Sequence, residues 1–182
     1  MSEWPFDSPI KPMKARVRET PPQGEGWVYE PKWDGFRAIA WGGAEPKLES
    51  RNGKPLLRYF PELLPALEQL PAGTVIDGEV VVVVDDATQF DQLQSRIHPA
   101  ASRVEMLSAE IPAELVAFDL LAVGGEDLCA APWSDRRAHL ERLFAELEFP
   151  WHLTPVTSDF AEAARWFSEF EGAGCDGIIC KL

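Results

Sequence analysis

The stretch Thr74–Asp85, TVIDGEVVVVVD, constrains the fold of this chain more than any other. Five consecutive valines are comfortable only in a buried strand, because β-branched side chains lose rotamer freedom in a helix and pack well on a pleated surface. The same stretch carries Asp77-Gly78-Glu79 at its mouth. Carboxylates taken out of water are costly unless they are paired or bound to a cation.

The surrounding pattern predicts further strands in hairpin-like succession, with helices interspersed later. Gly26 to Trp41 (GWVYEPKWDGFRAIAW) contains two short aromatic-rich runs around Pro31 and Asp34-Gly35, the pattern of strand, turn, strand. Lys47–Ser50 reads as a strand and Arg51-Asn52-Gly53-Lys54 as a turn. PELLPALEQL from Pro61 places Leu63, Leu64, Leu67 and Leu70 at helical spacing. Phe90–Ile97 and Ala100–Leu107 read as helices, Glu114–Val123 as a strand, and Ser134–Glu148 as an amphipathic helix capped by Ser134. Asp159–Phe170 is a further predicted helix, and Asp176–Leu182 a turn entering a buried strand. Regular strand-helix alternation is absent, so the fold class is α+β, with mostly antiparallel sheets and packed helices. One domain is expected over residues 23–182, preceded by an extended, proline-rich segment over residues 1–22 that wraps the surface.

Charge is distributed unevenly along the 182 residues. Residues 1–60 hold ten basic and eight acidic side chains, net +2, whereas residues 61–182 hold seven basic and 22 acidic, net −15. A polyanion would be met by the first third, since affinity for a phosphate backbone comes largely from basic side chains that displace its counterions. Charge alone argues against a DNA-binding protein. No stretch approaches the roughly 20 apolar residues of a membrane span, and the N-terminus lacks a basic start followed by an apolar run. A soluble, cytoplasmic chain is expected. Cys129, Cys175 and Cys180 form no C-x-x-C pair, and with the scattered His98, His139 and His152 they offer no zinc-ligand spacing.

Lys32, between Pro31 and Trp33, is the sharpest chemical feature. A lysine in partly apolar surroundings can present a neutral amine as a nucleophile. Alternatively, its stem packs on Trp33 while the ammonium reaches water. Glu79 and Asp176, each beside a glycine at the mouth of an apolar strand, are candidate ligands for Mg²⁺, which takes oxygen donors, or else exposed turn residues.

In combination these segments resemble the nucleotidyltransferase superfamily of ATP-dependent DNA ligases, RNA ligases and mRNA capping enzymes. Lys32-Trp33-Asp34-Gly35 is similar to its K-x-D-G motif, Ser50-Arg51-Asn52-Gly53 to motif Ia, Asp77-Gly78-Glu79 to motif III, Phe118-Asp119 to motif IIIa and Asp176–Lys181 (DGIICK) to motif IV. Five motifs stand in family order. Phe60-Pro61-Glu62-Leu63, the RIHPA segment at Arg96–Ala100 and FEGAGCDG at Phe170–Gly177 are most similar to bacterial ATP-dependent DNA ligases of the compact end-joining and repair type.

The resemblance implies the DNA ligase and capping-enzyme fold, ATP as co-substrate, Mg²⁺ or Mn²⁺, and nicked double-stranded DNA in repair, recombination or replication. It implies that Lys32 attacks the ATP α-phosphate to form lysyl-AMP, that Asp34 helps in nick sealing, and that Arg37 and Arg51 hold the ribose and phosphates. It further implies that Glu30 lies near the adenine amino group, that Phe118 stacks on adenine, that Lys181 contacts the α-phosphate, and that Glu79 and Asp176 bind ribose or metal. Motif IV usually begins with Glu, and here Asp176 is one methylene shorter. Motif V and an OB-fold domain do not follow motif IV, so a chain truncated after motif IV is expected, with weak DNA affinity by itself. A C-terminal OB-fold domain or a Ku-like end-binding protein is an expected partner, and the nucleoid the expected location. A non-catalytic nucleotide-binding relict or interaction module, and an RNA-directed nucleotidyltransferase, are the competing readings.

Overall fold

The computed structural model describes residues 3–169 and 175–182. The stretch 170–174, which takes in the end of the last expected helix and the FEGAG part of the FEGAGCDG segment, lies outside them. The strands are β1 (Val28–Trp33), β2 (Phe36–Trp41), β3 (Lys47–Ser50), β4 (Val75–Val81), β5 (Val83–Val84), β6 (Ala87–Thr88), β7 (Glu114–Val123), β8 (Glu126–Asp127), β9 (Trp151–Leu153) and β10 (Cys175–Lys181). The helices are α1 (Leu64–Glu68), entered through a 3-10 turn at Pro61–Leu63, α2 (Phe90–Ser95), α3 (Ala101–Glu110), α4 (Trp133–Phe144) and α5 (Phe160–Glu169).

The main sheet runs β3-β2-β4-β7, with β8 antiparallel and β9 parallel to the two ends of β7. β1 and β10 make a separate antiparallel pair. The architecture is thus the expected α+β, antiparallel except at β9. Two local expectations change. β1 and β2 do not form a hairpin, because the Asp34-Gly35 turn carries the chain from one sheet to the other. Pro31, expected between strands, lies within β1 opposite Ile178, beside an irregularity in register. Apart from β10, β1 is bridged only at Tyr29, by Thr157, among the described residues, so its second edge is unpaired at Pro31, where proline is tolerated.

The five-valine run also divides. Val80, Val81 and Val82 are buried, but Val83 is exposed and pairs with Thr88 across a two-residue turn at Asp85-Asp86. Both aspartates have positive φ, 52° and 62°, which is the conformation such tight hairpins require. α4 begins at Trp133 after Pro132, so Ser134 lies inside the first turn and makes no capping bond, and the helix ends at Phe144 rather than Glu148. β10 is half-buried rather than buried, since a strand of a two-stranded sheet has only one neighbour to cover it.

Alternation along β2 and β4 assigns the two faces of the main sheet. Ala38, Ala40, Ile76 and Val80 point into the main core with Phe60, Leu63, Leu67, Leu93 and Leu140. Ile39, Trp41, Val75 and Ala122 point the other way, where Trp4, Phe6 and Ile10 of the N-terminal segment cover them. That segment is fastened by the Trp4 indole N–H donating to the Gly42 carbonyl at 2.8 Å. Arg37, Asp77 and Glu79 share this second face, since Arg37 stands opposite Glu79 and Ile39 opposite Asp77. Gly78 lies between the two carboxylates on the core side, where a Cβ would stand 2.5 Å from the Val116 carbonyl oxygen. β4 and β7 pack too closely there for any side chain.

Two segments of the bacterial-ligase resemblance meet in one buried ion pair. Arg96 is wholly buried, and its guanidinium donates to the Glu62 carboxylate at 2.5 and 3.0 Å, to the Ile111 carbonyl at 2.6 Å and to the Tyr59 carbonyl at 2.8 Å. The pair ties the start of the α1 region to the end of α2.

Candidate active site

Pairing of β1 with β10 assembles half of the site. Tyr29 faces Cys180 and Glu30 faces Ile179, which brings residues about 150 positions apart into contact. Lys32 Nζ donates to Asp176 Oδ2 at 2.8 Å, with the two side chains 44% and 55% exposed. Lys32 is therefore not in the apolar setting that the flanking Trp33 suggested. The Trp33 indole turns away and donates to Thr154 Oγ1 at 2.9 Å, which leaves the lysine at an open strand edge. Asp34, at the start of the crossing to β2, is raised above the usual carboxyl range by burial first and by the Asp176 charge second, with Lys32 opposing.

At the other end of β10, Lys181 Nζ donates to Glu30 and to the Phe118 carbonyl oxygen at 2.9 Å. Glu30 is almost fully buried, and burial raises its pKa while Lys181 opposes the rise. The Lys181 ammonium stands 5.4 Å from the Phe118 ring centroid and 5.8 Å from that of Trp133. The Arg37 guanidinium lies 5.3 Å from the same Phe118 ring. Phe118 is thus an aromatic ring with two cations, 5.3 and 5.4 Å from its centre.

Arg37 is held from beneath. Its Nε and Nη2 donate to the two Asp77 oxygens at 2.9 and 2.6 Å, a bidentate fork on a carboxylate that is nearly fully buried. Burial raises Asp77, and Arg37 pulls against the rise. Glu79, opposite Arg37 in the register, is pushed up to about 8 by burial, with Arg37 and Lys32 opposing. Beside them opens a cavity of about 610 Å³ lined by Arg37, Arg51, Lys54, Arg58 and Glu79. Arg51 is carried by the turn after β3, whose backbone N–H donates to the Arg37 carbonyl at 3.1 Å.

The expected site residues therefore lie around β1, β10 and the second face of the main sheet, in three groups. Lys32, Asp34 and Asp176 lie at the open end of the β1–β10 pair, and Glu30, Phe118 and Lys181 at the other, with Arg37, Glu79 and Arg51 beside the cavity. Among the described residues no three His, Cys, Asp or Glu side chains converge as metal ligands, and Asp176 is engaged by Lys32. Sequence reasoning missed Asp77 as the anchor of Arg37, although a carboxylate inside an apolar strand is itself the signal for a buried cation partner. It also missed Trp133 and the Arg136–Asp119 fork at 2.8 and 2.9 Å, which fixes the residue after Phe118 and left no pattern in the sequence.

A lysine at a strand edge, an aromatic ring beside two cations and a basic cavity on one antiparallel scaffold define the class of nucleotide-binding phosphoryl-transfer domains. Comparison with known proteins narrows the class: the family described as ATP dependent DNA ligase domain matches residues 9–182, and the chain belongs to that family. It is similar to DNA ligase C2 of Mycolicibacterium smegmatis, 52% identical over 98% of this chain and 51% of the relative, and to DNA ligase C of Mycobacterium tuberculosis, 49% identical over 98% and 51%. Among solved structures it resembles the ligase domain of M. tuberculosis LigD, 28% identical with a TM-score of 0.67 over 85% of this chain and 48% of that one. A mycobacterial DNA ligase D complexed with ATP and MES gives 28% identity and a TM-score of 0.65 over 85% and 48%. The chain spans about half the length of the curated relatives it matches.

Proposed function

We propose that this chain is the adenylation domain of an ATP-dependent DNA ligase, centred on residues 23–182, and that Lys32 carries AMP as a phosphoramidate. The observation that carries this reading is the convergence of Glu30, Arg37, Phe118 and Lys181, from three distant segments, around one aromatic ring, with Lys32 and its partner Asp176 at the open end of the same β1–β10 pair and Arg37 reaching the basic cavity. The Lys32 nitrogen lone pair attacks the α-phosphorus, the bond from that phosphorus to the α–β bridging oxygen breaks, and pyrophosphate leaves with the electron pair. The ammonium proton has an acceptor in the Asp176 carboxylate 2.8 Å away. Phe118 stacks the adenine, Glu30 accepts from its amino group once Lys181 turns to the α-phosphate, and Arg37 and Arg51 hold ribose and phosphate oxygens. Transfer of AMP to the 5′-phosphate at a nick, helped by Asp34, and its displacement by the 3′-hydroxyl complete the sealing reaction.

A divalent cation fits this donor set. Mg²⁺ is usually held by one or two carboxylates together with substrate phosphates rather than by an all-protein cage, and Glu79 lines the cavity, where burial outweighs the opposing charges of Arg37 and Lys32 and holds it up to about 8. Glu79 and Asp176 would hold Mg²⁺ or Mn²⁺, which supplies neutralisation of the phosphate charge. The mycobacterial ligase D structure complexed with ATP supports the choice of nucleotide. Nicked duplex DNA is the substrate of the whole reaction, a C-terminal OB-fold domain or a Ku-like end-binding protein the partner, and the bacterial cytoplasm at the nucleoid the location. No described helix is long and apolar enough to cross a membrane.

The test is incubation of the purified chain with ATP labelled on the α-phosphate and Mg²⁺, followed by denaturation. Label retained by the wild type and absent from Lys32→Ala supports the reading. Absence of label from a folded wild-type chain counts against it.

A further inference from the structure

We propose that residues 11–18, together with the turn that carries Arg51, Lys54 and Arg58, form a phosphate-backbone track that grips duplex DNA and leads it to the basic cavity. The inference rests on the ligase reading for the identity of the polyanion, but not for the existence of the track.

The segment KPMKARVR, residues 11–18, holds four cations, Lys11, Lys14, Arg16 and Arg18, and no acidic residue. All four are exposed, and the segment has no regular secondary structure. Met13 and Val17 between them are 85% and 98% exposed, so the chain here lies on nothing that would hide its side chains. In a chain of net charge −13, four of the 17 cations thus stand together on one exposed strip, which concentrates the attraction for a polyanion there.

Both ends of the strip are fixed. On one side Pro9 seats against the turn after β3: a Cβ on Gly53 would stand 2.6 Å from Pro9 Cβ, and Gly53 has φ +74°, so only glycine lets the two segments meet. Ser8 Oγ donates to Glu49 Oε1 at 2.5 Å beside it. On the other side Tyr29 Oη donates to the Pro22 carbonyl at 2.9 Å, at the head of β1. The strip therefore runs from the rim of the cavity, where Arg51, Lys54 and Arg58 stand exposed, to the start of the strand that carries Lys32. Extended chain places successive side chains about 3.3 Å apart, so four cations over eight residues cover several successive phosphates of one strand. Such contacts position a duplex and read no sequence.

The test compares two variants that remove equal charge. Arg16→Ala/Arg18→Ala lies in the strip, and Arg103→Ala/Arg142→Ala removes two exposed cations from α3 and α4. Binding of the chain to a fluorescent nicked duplex is followed by anisotropy over a range of salt, and melting temperatures confirm that both variants fold. The strip variant is expected to bind about tenfold more weakly at about 50 mM salt and to lower the slope of log affinity against log salt by about 2, while the control changes neither. Equal losses in both variants, no loss in either, or a wild-type chain that does not bind the duplex would overturn the proposal. So would displacement by polyglutamate as readily as by duplex, which would assign the strip to an acidic protein. Lysyl-AMP formation needs no DNA, so failure of this inference and failure of the ligase reading are read in separate experiments.

Discussion

Lys181 Nζ lies 2.8 and 2.9 Å from the two carboxylate oxygens of Glu30, diagonally across the β1–β10 pair, in which Val28 stands opposite Lys181 and Ile179 opposite Glu30. The Glu30 side chain is 2% exposed and that of Lys181 19%. On the proposed reading, nucleotide binding would draw Lys181 away and leave the buried Glu30 carboxylate to an adenine amino group. Removing one member of a buried pair leaves the other uncompensated, at about 3 kcal/mol or more.

Lys181→Met should therefore destabilise the chain by about 3 kcal/mol near pH 8 in denaturant unfolding. Burial already holds Glu30 above its ordinary value. Without Lys181 the native state takes up a proton as the pH falls, so the loss should shrink toward pH 5. Adding Glu30→Gln should restore most of the stability at pH 8, and a double variant no better than the single one would refute the pairing.

Arg37 owes its place over Phe118 to the Asp77 fork. Arg37→Lys keeps the charge but cannot span both oxygens, and a lost hydrogen bond between charged groups is worth about 1.5–3 kcal/mol. The rate of lysyl-AMP formation should fall about tenfold or more, since about 1.4 kcal/mol of lost positioning is a factor of ten. A rate equal to that of the wild type would show that the fork does not orient the substrate.

Glu79 ionises near 4.5 in the unfolded chain and near 8 in the folded one. The native state therefore holds the extra proton between those values, and stability falls as the pH rises through that window. Glu79→Gln, which carries no charge, should be more stable than the wild type above about pH 8 and should match it below about pH 4.5. Each kcal/mol recovered raises the melting temperature by about 2–4 °C in a domain of this size. A constant difference across the pH range would contradict the burial of Glu79.

The Lys32–Asp176 pair is about half exposed on both sides and adds little to stability. Asp176→Asn should shift unfolding by no more than about 0.5 kcal/mol while slowing lysyl-AMP formation, because the nearest proton acceptor to Lys32 is gone. Loss of stability with unchanged adenylation would reverse the roles assigned to the pair.

Gly78→Ala should cost about 1–3 kcal/mol, because its Cβ would press on the Val116 carbonyl between two paired central strands. Equilibrium unfolding would show the loss, with Gly177→Ala on β10, where the nearest atom is 3.7 Å from the added Cβ but φ is +143°, as a comparison for backbone strain without crowding.

Local chemistry made much of this protein legible in its sequence. The β-branched runs marked β4 and β7, helical spacing marked the helices, and the K-x-D-G segment with its ordered companions marked candidate residues. Strand character, turn chemistry and amphipathic period are properties of neighbouring residues, and they survive in the one-dimensional record. The choice of partner strand does not. That β1 leaves β2 to pair with β10 is decided by packing across some 150 residues of chain, and it alone brings Lys32 to Asp176 and Glu30 to Lys181. Asp77 and Glu79 look alike in sequence and share a face of β4, yet the Arg37 side chain reaches diagonally to Asp77 and leaves Glu79, its register partner, at the cavity, because a charge out of water is governed by which opposite charge lies within about 3 Å of it, and only the tertiary structure sets that distance.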